Sequence, residues 1–187
     1  MMIRFADDYV CMFQYKADAV QFYRVMQKRL RKYGLELSRE KSGLRRLSRH
    51  EPDMANRIEF LSLEFYWTRD FNGHVRVMRR TAPKRLHVAI AKVKEWVRCN
   101  RHERGKQFVL GLNRRLIGHY NYFGVKGNDR AVRRFYNEAI ESAYKWLNRR
   151  GGKKNSFNWE TFVKALERLK VATPRVFDTG RKRVVYN

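Results

Sequence analysis

The spacing of apolar residues changes once along this 187-residue chain, near residue 82, and that change limits the fold more than any other feature. Ahead of it, apolar residues alternate over short stretches bounded by turn residues, as strands require. Beyond it they recur every three or four residues, as one face of a helix does. Leu86, Ile90, Val93 and Val97 form one stripe, and Val109, Leu112, Leu116, Tyr120 and Phe123 a second. Val132, Phe135/Tyr136, Ala139, Ala143 and Trp146/Leu147 form a third, and Phe162/Val163, Leu166 and Leu169 a short fourth. Gly105, Gly124 to Gly127 and Gly151-Gly152 punctuate them, and Asn128 and Asn158 stand where helix N-caps belong. Four helices with short connections predict a small bundle over 83–170, followed by an extended basic tail over 171–187 that holds Pro174, Gly180 and Arg181-Lys182-Arg183.

The first 82 residues predict strands around one long helix. Met1 to Phe5 and Tyr9 to Phe13 read as a hairpin with Ala6-Asp7-Asp8 at its tip. Residues 16–33 repeat apolar positions at helical spacing (Ala19, Phe22/Tyr23, Met26, Leu30, Tyr33), and Gly34 is placed to stop that helix in a left-handed conformation. Leu35 to Leu37 alternates, Leu44 to Leu47 suggests a short strand, and 50–57, with Pro52, a loop. Ile58 to Trp67 reads as one strand, and Asn72-Gly73 as a hairpin turn into Val75 to Met78. The fold class expected is therefore α+β.

Charge narrows the partners. The chain carries 43 basic and 18 acidic residues, a net of +25. Residues 1–80 contribute +7 and residues 81–187 contribute +18, so a polyphosphate partner is expected for the second half, with a solvated basic face as the plainer alternative. With 43% apolar and 14% aromatic residues, the chain is not a disordered basic tail. No run of 18 apolar residues occurs, so no membrane-spanning helix is expected. No apolar segment of the secretory kind follows Met1, and two cysteines, Cys11 and Cys99, make no disulfide framework, so a reducing cytoplasm is the expected compartment.

Asp7-Asp8 is the sharpest chemical candidate. Two carboxylates on a tight turn can hold Mg2+ through oxygen ligands, and such a metal can clamp a phosphoryl oxygen and activate a hydroxyl. On the dipeptide alone, an exposed turn explains the residues as well. The five histidines lack metal-ligand spacing, Cys11 and Cys99 read as plain thiols, and no glycine-rich phosphate loop is present. Trp96, Trp146 and Trp159 read as core residues rather than stacking platforms.

Four motifs follow one another along the chain: Phe5-Ala6-Asp7-Asp8; Gly34-Leu35-Glu36-Leu37 with Lys41-Ser42; Phe60-Leu61-Ser62-Leu63; and Gly118-His119-Tyr120-Asn121-Tyr122-Phe123-Gly124. In this order they resemble a reverse transcriptase, most closely the group II intron reverse transcriptase/maturase family, which usually has Tyr-Ala-Asp-Asp where Phe5-Ala6-Asp7-Asp8 stands here. Trp146-Leu147-Asn148-Arg149-Arg150 and Trp159-Glu160 with Phe162 fit the same thumb region.

The resemblance implies a partial polymerase palm over 1–82, a helical thumb over 83–170 and RNA-templated DNA synthesis by two-metal nucleotidyl transfer. Asp7 and Asp8 would ligate Mg2+, Lys41 would lie near the incoming triphosphate, and the strand over 58–67 would grip the primer. Read alone, Lys41 is a surface lysine. RNA and a DNA primer would lie against Arg114, Arg115, Asn121, Tyr122, Arg130, Arg133, Arg134, Arg149, Arg150, Lys153 and Lys154. The family also uses an earlier palm aspartate and fingers, and the catalytic hairpin here stands at the start of the chain. The resemblance therefore implies a C-terminal portion whose partner is the absent N-terminal polymerase half, inactive by itself. A different reading is a non-catalytic, maturase-like RNA-binding module that assists splicing.

Overall fold

A computed structural model describes residues 1–38, 40–50, 52, 56–149 and 157–177. Among the described residues the fold is mixed α+β, with five helices and two small antiparallel sheets. The chain divides into two compact units, Met1–Met78 and Arg79–Asn187.

The first unit opens with a two-stranded hairpin, β1 (Met2–Phe5) and β2 (Asp8–Cys11), in the register Met2↔Cys11 and Phe5↔Asp8. Ala6 and Asp7 form its two-residue loop, and Ala6 takes a φ of 52° to close it. Helix α1 (Lys16–Arg31) follows and stops two residues before the expected end. Gly34 has a φ of 70° and Leu35 N–H donates to the Leu30 carbonyl at 3.0 Å, the left-handed stop that the glycine predicted. The strand expected over Leu44 to Leu47 is absent; these residues have no regular structure.

The single strand expected over 58–67 is instead a tight hairpin. Strand β3 (Ile58–Phe60) turns through Leu61 and Ser62 into β4 (Leu63–Arg69), with Ile58 opposite Phe65 and Phe60 opposite Leu63. Leu61 and Ser62 have φ values of 51° and 63°, the left-handed pair that a two-residue hairpin turn needs. Neither residue type favours that conformation, so the sequence hid the turn inside an apolar run. The loop from β4 to β5 (Val75–Thr81) is more legible. Asp70 accepts hydrogen bonds from Asn72 N–H and His74 N–H at 2.9 and 2.8 Å, and Gly73 supplies a φ of 80°.

Among the described residues, the first unit buries no apolar side chain: its one buried residue is Glu64, which Arg57 meets at 3.3 Å. Every buried hydrophobic side chain lies between Ala82 and Leu166. These come from α2 (Pro83–Asn100), α3 (Gly105–Phe123), α4 (Asp129–Asn148) and α5 (Trp159–Arg168). The four stripes of the sequence supply this core, and Phe108, outside the expected stripe, joins it by stacking on Trp96 at 5.4 Å. Each large side chain so buried contributes roughly 1.5–3 kcal/mol, which makes this unit the stable part of the chain.

Helices α2 and α4 run parallel. Thr81 meets Asn128 at their starts, Lys94 pairs with Glu138 at their middles, and Arg101 lies over the Trp146 ring, 5.2 Å from its centre, at their ends. Asn128 occupies the N-cap position of α4, as expected, but its side chain does not cap that helix. Its Oδ1 accepts from Thr81 N–H at 2.8 Å, while its Nδ2 donates to Thr81 Oγ1 and the Phe123 carbonyl, both at 2.8 Å. Asn158 does cap α5, accepting from Thr161 N–H at 2.8 Å.

The segment after α5 is extended, as expected, through residue 177, and runs along α3. Asn113 accepts from Ala172 N–H at 2.8 Å and donates to the Lys170 carbonyl at 2.9 Å, and Phe177 N–H donates to the Gly124 carbonyl at 2.7 Å. Gly124 permits this approach, because a Cβ there would stand 2.5 Å from the Arg175 carbonyl and 2.3 Å from that of Tyr120. Gly118, in the middle of α3, faces open space. Gly124→Ala is expected to cost about 1–3 kcal/mol through overpacking. Gly118→Ala should stabilise by about 1 kcal/mol through helix propensity. Paired urea titrations check both signs.

Candidate nucleic-acid interface

The expected cations fall into groups with different roles. Helix α4 carries Arg130, Arg133 and Arg134 in its first two turns, all exposed and on one side with Asn137 and Glu141. Among the described residues, Arg130 and Arg133 make no ion pair or hydrogen bond, while Arg134 lies 4.0 Å from Glu138. Glu138 also pairs with Lys94; that hydrogen bond, helped by Arg134 and His87, holds its carboxyl below the usual range against partial desolvation.

The placement of these arginines opposes helix electrostatics. A helix start is the positive end of its dipole and favours acids. Cations three and four residues apart repel. Helix α4 has one acid in its first turn, Asp129; helix α2 has none there and places Lys84 and Arg85 in it. Because the Asn128 clamp joins the starts of α2 and α4, two positive helix ends lie side by side. Arg79, Arg80, Lys84 and Arg85 flank Thr81, Lys126 and Arg130 flank Asn128, and Asp129 is the one acid in these two stretches. Arg79 holds the corner by donating to the Lys126 carbonyl at 3.0 Å. Sequence reasoning missed Arg79, Arg80, Lys84, Arg85 and Lys126, because nothing in their spacing reveals that residues 47 apart meet through a buried amide.

Other expected contacts are engaged with the protein itself. The Arg115 guanidinium sits 4.1 Å over the Trp96 ring and donates to the Gly111 carbonyl at 3.0 Å. Trp96 in turn fills the space a Cβ at Gly111 would need, 2.5 Å from it. Arg149 lies 5.2 Å from the centre of the Trp146 ring. Arg114 is exposed on α3 and has an interaction of its own. Trp96 and Trp146 pack against the core as expected, whereas Trp159 is 50% exposed. Arg150, Lys153 and Lys154 lie outside the described residues, as does the basic cluster Arg181-Lys182-Arg183.

The motif from Gly118 to Gly124 spans the end of α3. Tyr122 is exposed and Asn121 is half-buried beside the 170–177 segment. Tyr120 is buried and donates its hydroxyl to the Ala172 carbonyl at 3.3 Å; burial, with Tyr136 nearby, pushes its pKa up. His119 is a core residue, 8% exposed, with its ring 3.7 Å from that of Phe135 and 4.7 Å from that of Phe123. Its Nε2 is buried and finds no hydrogen-bond partner among the described residues.

Asp7 and Asp8 are both exposed, Asp7 in the hairpin loop and Asp8 at the first position of β2. Either can donate carboxylate oxygens to Mg2+, a hard cation that takes such ligands together with water and phosphate oxygens. Among the described residues, no group of three or more His, Cys, Asp and Glu could hold a metal ion. A two-metal centre would therefore draw a further carboxylate from elsewhere. Lys41 is exposed in a short turn, its N–H donating to the Ser38 carbonyl at 3.2 Å, and no hydrogen bond or ion pair joins it to Asp7 or Asp8 among the described residues.

No protein-family model, curated protein or solved structure matches the chain. Among the described residues, no helix is long and apolar enough to cross a membrane.

Burial lowers the pKa of His119 from 6.5 to about 4. The unfolded chain therefore takes up this proton at a higher pH than the folded one. The contribution to stability is complete above pH 6.5 and falls as the pH drops toward 4. Its slope is at most about 1.4 kcal/mol per pH unit. His119→Phe keeps the ring stack and should remove that component of the slope, read by urea unfolding across this range.

Proposed function

We propose that the chain is the palm-and-thumb portion of a group II intron-type reverse transcriptase, with the helical unit holding RNA or a template–primer duplex. The carrying observation is the set of arginines on α4, exposed, without ion pairs at Arg130 and Arg133 among the described residues, and placed near the positive end of the helix dipole. Cations retained against local electrostatics are explained by a polyanion that they meet when it is bound. The parallel starts of α2 and α4 add their dipoles to the same end of the unit.

In this reading the unit binds phosphates by charge and reads no base sequence there. The catalytic part of the proposal rests on the order of motifs from Phe5 to Gly124 and on the exposed Ala6-Asp7 tip. Mg2+ bound at Asp7 and Asp8 would supply the electrophile for phosphoryl transfer, with a third carboxylate contributed by another polypeptide segment. Lys41 would act on the triphosphate. The alternative, a non-catalytic module that helps an intron fold, draws on the separation between the two features: the cations and the two carboxylates lie in different units.

Arg130→Gln/Arg133→Gln is expected to weaken binding of a short RNA duplex and to lower the salt slope by roughly 2, one for each phosphate that is no longer neutralised. The same variant should be more stable by about 1 kcal/mol, because like-charge repulsion and an unfavourable dipole interaction are relieved. Unchanged RNA affinity would overturn the interface.

The two readings diverge on catalysis. Primer extension on an RNA template should require both Mg2+ and a polypeptide carrying the remaining palm and fingers. Asp7→Ala should abolish it and leave RNA affinity unchanged. Extension that survives Asp7→Ala would overturn the catalytic part, and no extension with the completing polypeptide would favour the splicing module.

A further inference from the structure

The 170–177 segment and α3 border a half-open cavity of about 340 Å³, within the range of small-ligand sites. Two cations line it, Lys170 and Arg175, and no acid does. Ile117, Val171 and Phe177 give it an apolar surface. Its wall is fixed, because Asn113 holds the segment by both amide atoms and Phe177 N–H is tied to Gly124. Neither Lys170 nor Arg175 has an ion pair among the described residues.

The conformation of Lys170 sets it apart. It follows α5 in the left-handed region, with a φ of 55°, and Val171 N–H donates to the Leu166 carbonyl at 3.0 Å. Helix α1 ends in the same pattern, with Leu35 N–H on the Leu30 carbonyl and Gly34 at the left-handed position. Glycine meets that requirement without strain at the first helix end; lysine meets it with strain at the second. Lys170, held in this conformation, borders the cavity.

We infer that this cavity is a binding site for one unpaired nucleotide, its base against Phe177 and Ile117 and its phosphate on Lys170 and Arg175. Two cations without an acid select an anion, and an aromatic and aliphatic surface selects a ligand with a flat apolar face. The volume admits one such group. Among anions with a flat face, a nucleotide is the one that a chain of net charge +25 gathers from bulk. The inference deepens the RNA-binding proposal and rests on it for the source of the nucleotide, an unpaired residue of bound RNA.

The test uses the whole chain with three probes: a single-stranded RNA carrying 2-aminopurine, a blunt RNA duplex, and free AMP. Lys170→Gly should raise the melting temperature yet weaken single-strand binding roughly tenfold more than duplex binding. Arg175→Gln should show the same selective loss. Equal losses for both RNAs, or none for either, overturn the cavity and leave the duplex interface standing. If the wild-type chain binds neither RNA, the RNA-binding proposal fails and AMP decides. Amide shifts confined to residues 113–121 and 170–177, and lost in Arg175→Gln, then support a site for a free nucleotide, and no shifts overturn it.

Discussion

The second unit depends on one buried side chain. Asn128 is 1% exposed and satisfies three backbone or hydroxyl groups from two other segments. An amide in that position is costly to bury unless each of its atoms finds a partner. Here each partner is specific in position: Thr81 at the entry to α2 and Phe123 at the end of α3. An apolar residue of similar size would fill the space but would not choose between neighbouring registers of two parallel helices. Polarity at this point therefore fixes the helix alignment, and the apolar stripes pack around it.

That alignment has an electrostatic cost. Antiparallel neighbours cancel their dipoles, whereas α2 and α4 place theirs side by side. The protein adds to the cost by putting lysine and arginine into the first turns of both helices. The pairing of Glu138 with Lys94 offsets part of it at mid-helix, away from the crowded end. Stability in this unit comes from sixteen buried apolar side chains in one cluster, and that surplus lets the surface carry like charges close together.

The sequence disclosed the helical unit because its core is local in pattern. Leu86, Ile90, Val93 and Val97 lie on one face by spacing alone, and the structure buries all four. The first unit was legible where glycine marked a turn, as at Gly34 and Asn72-Gly73. It was illegible where Leu61 and Ser62 adopt a turn conformation foreign to their types, and at Leu44 to Leu47, where apolar character led to no partner strand. The arginines of α4 were visible as charges. What groups them with the cations at the start of α2, the meeting of residues 81 and 128, depends on a tertiary hydrogen bond that no periodicity encodes. Arg115 shows the reverse case, a charge plain in the sequence whose packing over a tryptophan was not.

The absence of a buried apolar side chain among the described residues up to Met78 has a consequence for how the chain responds to selection. Cooperative unfolding draws its enthalpy and heat-capacity change from surface that becomes exposed, and the fully buried apolar side chains among the described residues all lie after Thr81. The hairpin with Asp7 and Asp8 can thus open and close while the rest of the chain stays folded. Exposed substitutions at Asp7 and Asp8 remove no buried contact, so pressure on abundance or protease resistance falls mainly on the helical unit and bears little on the carboxylates.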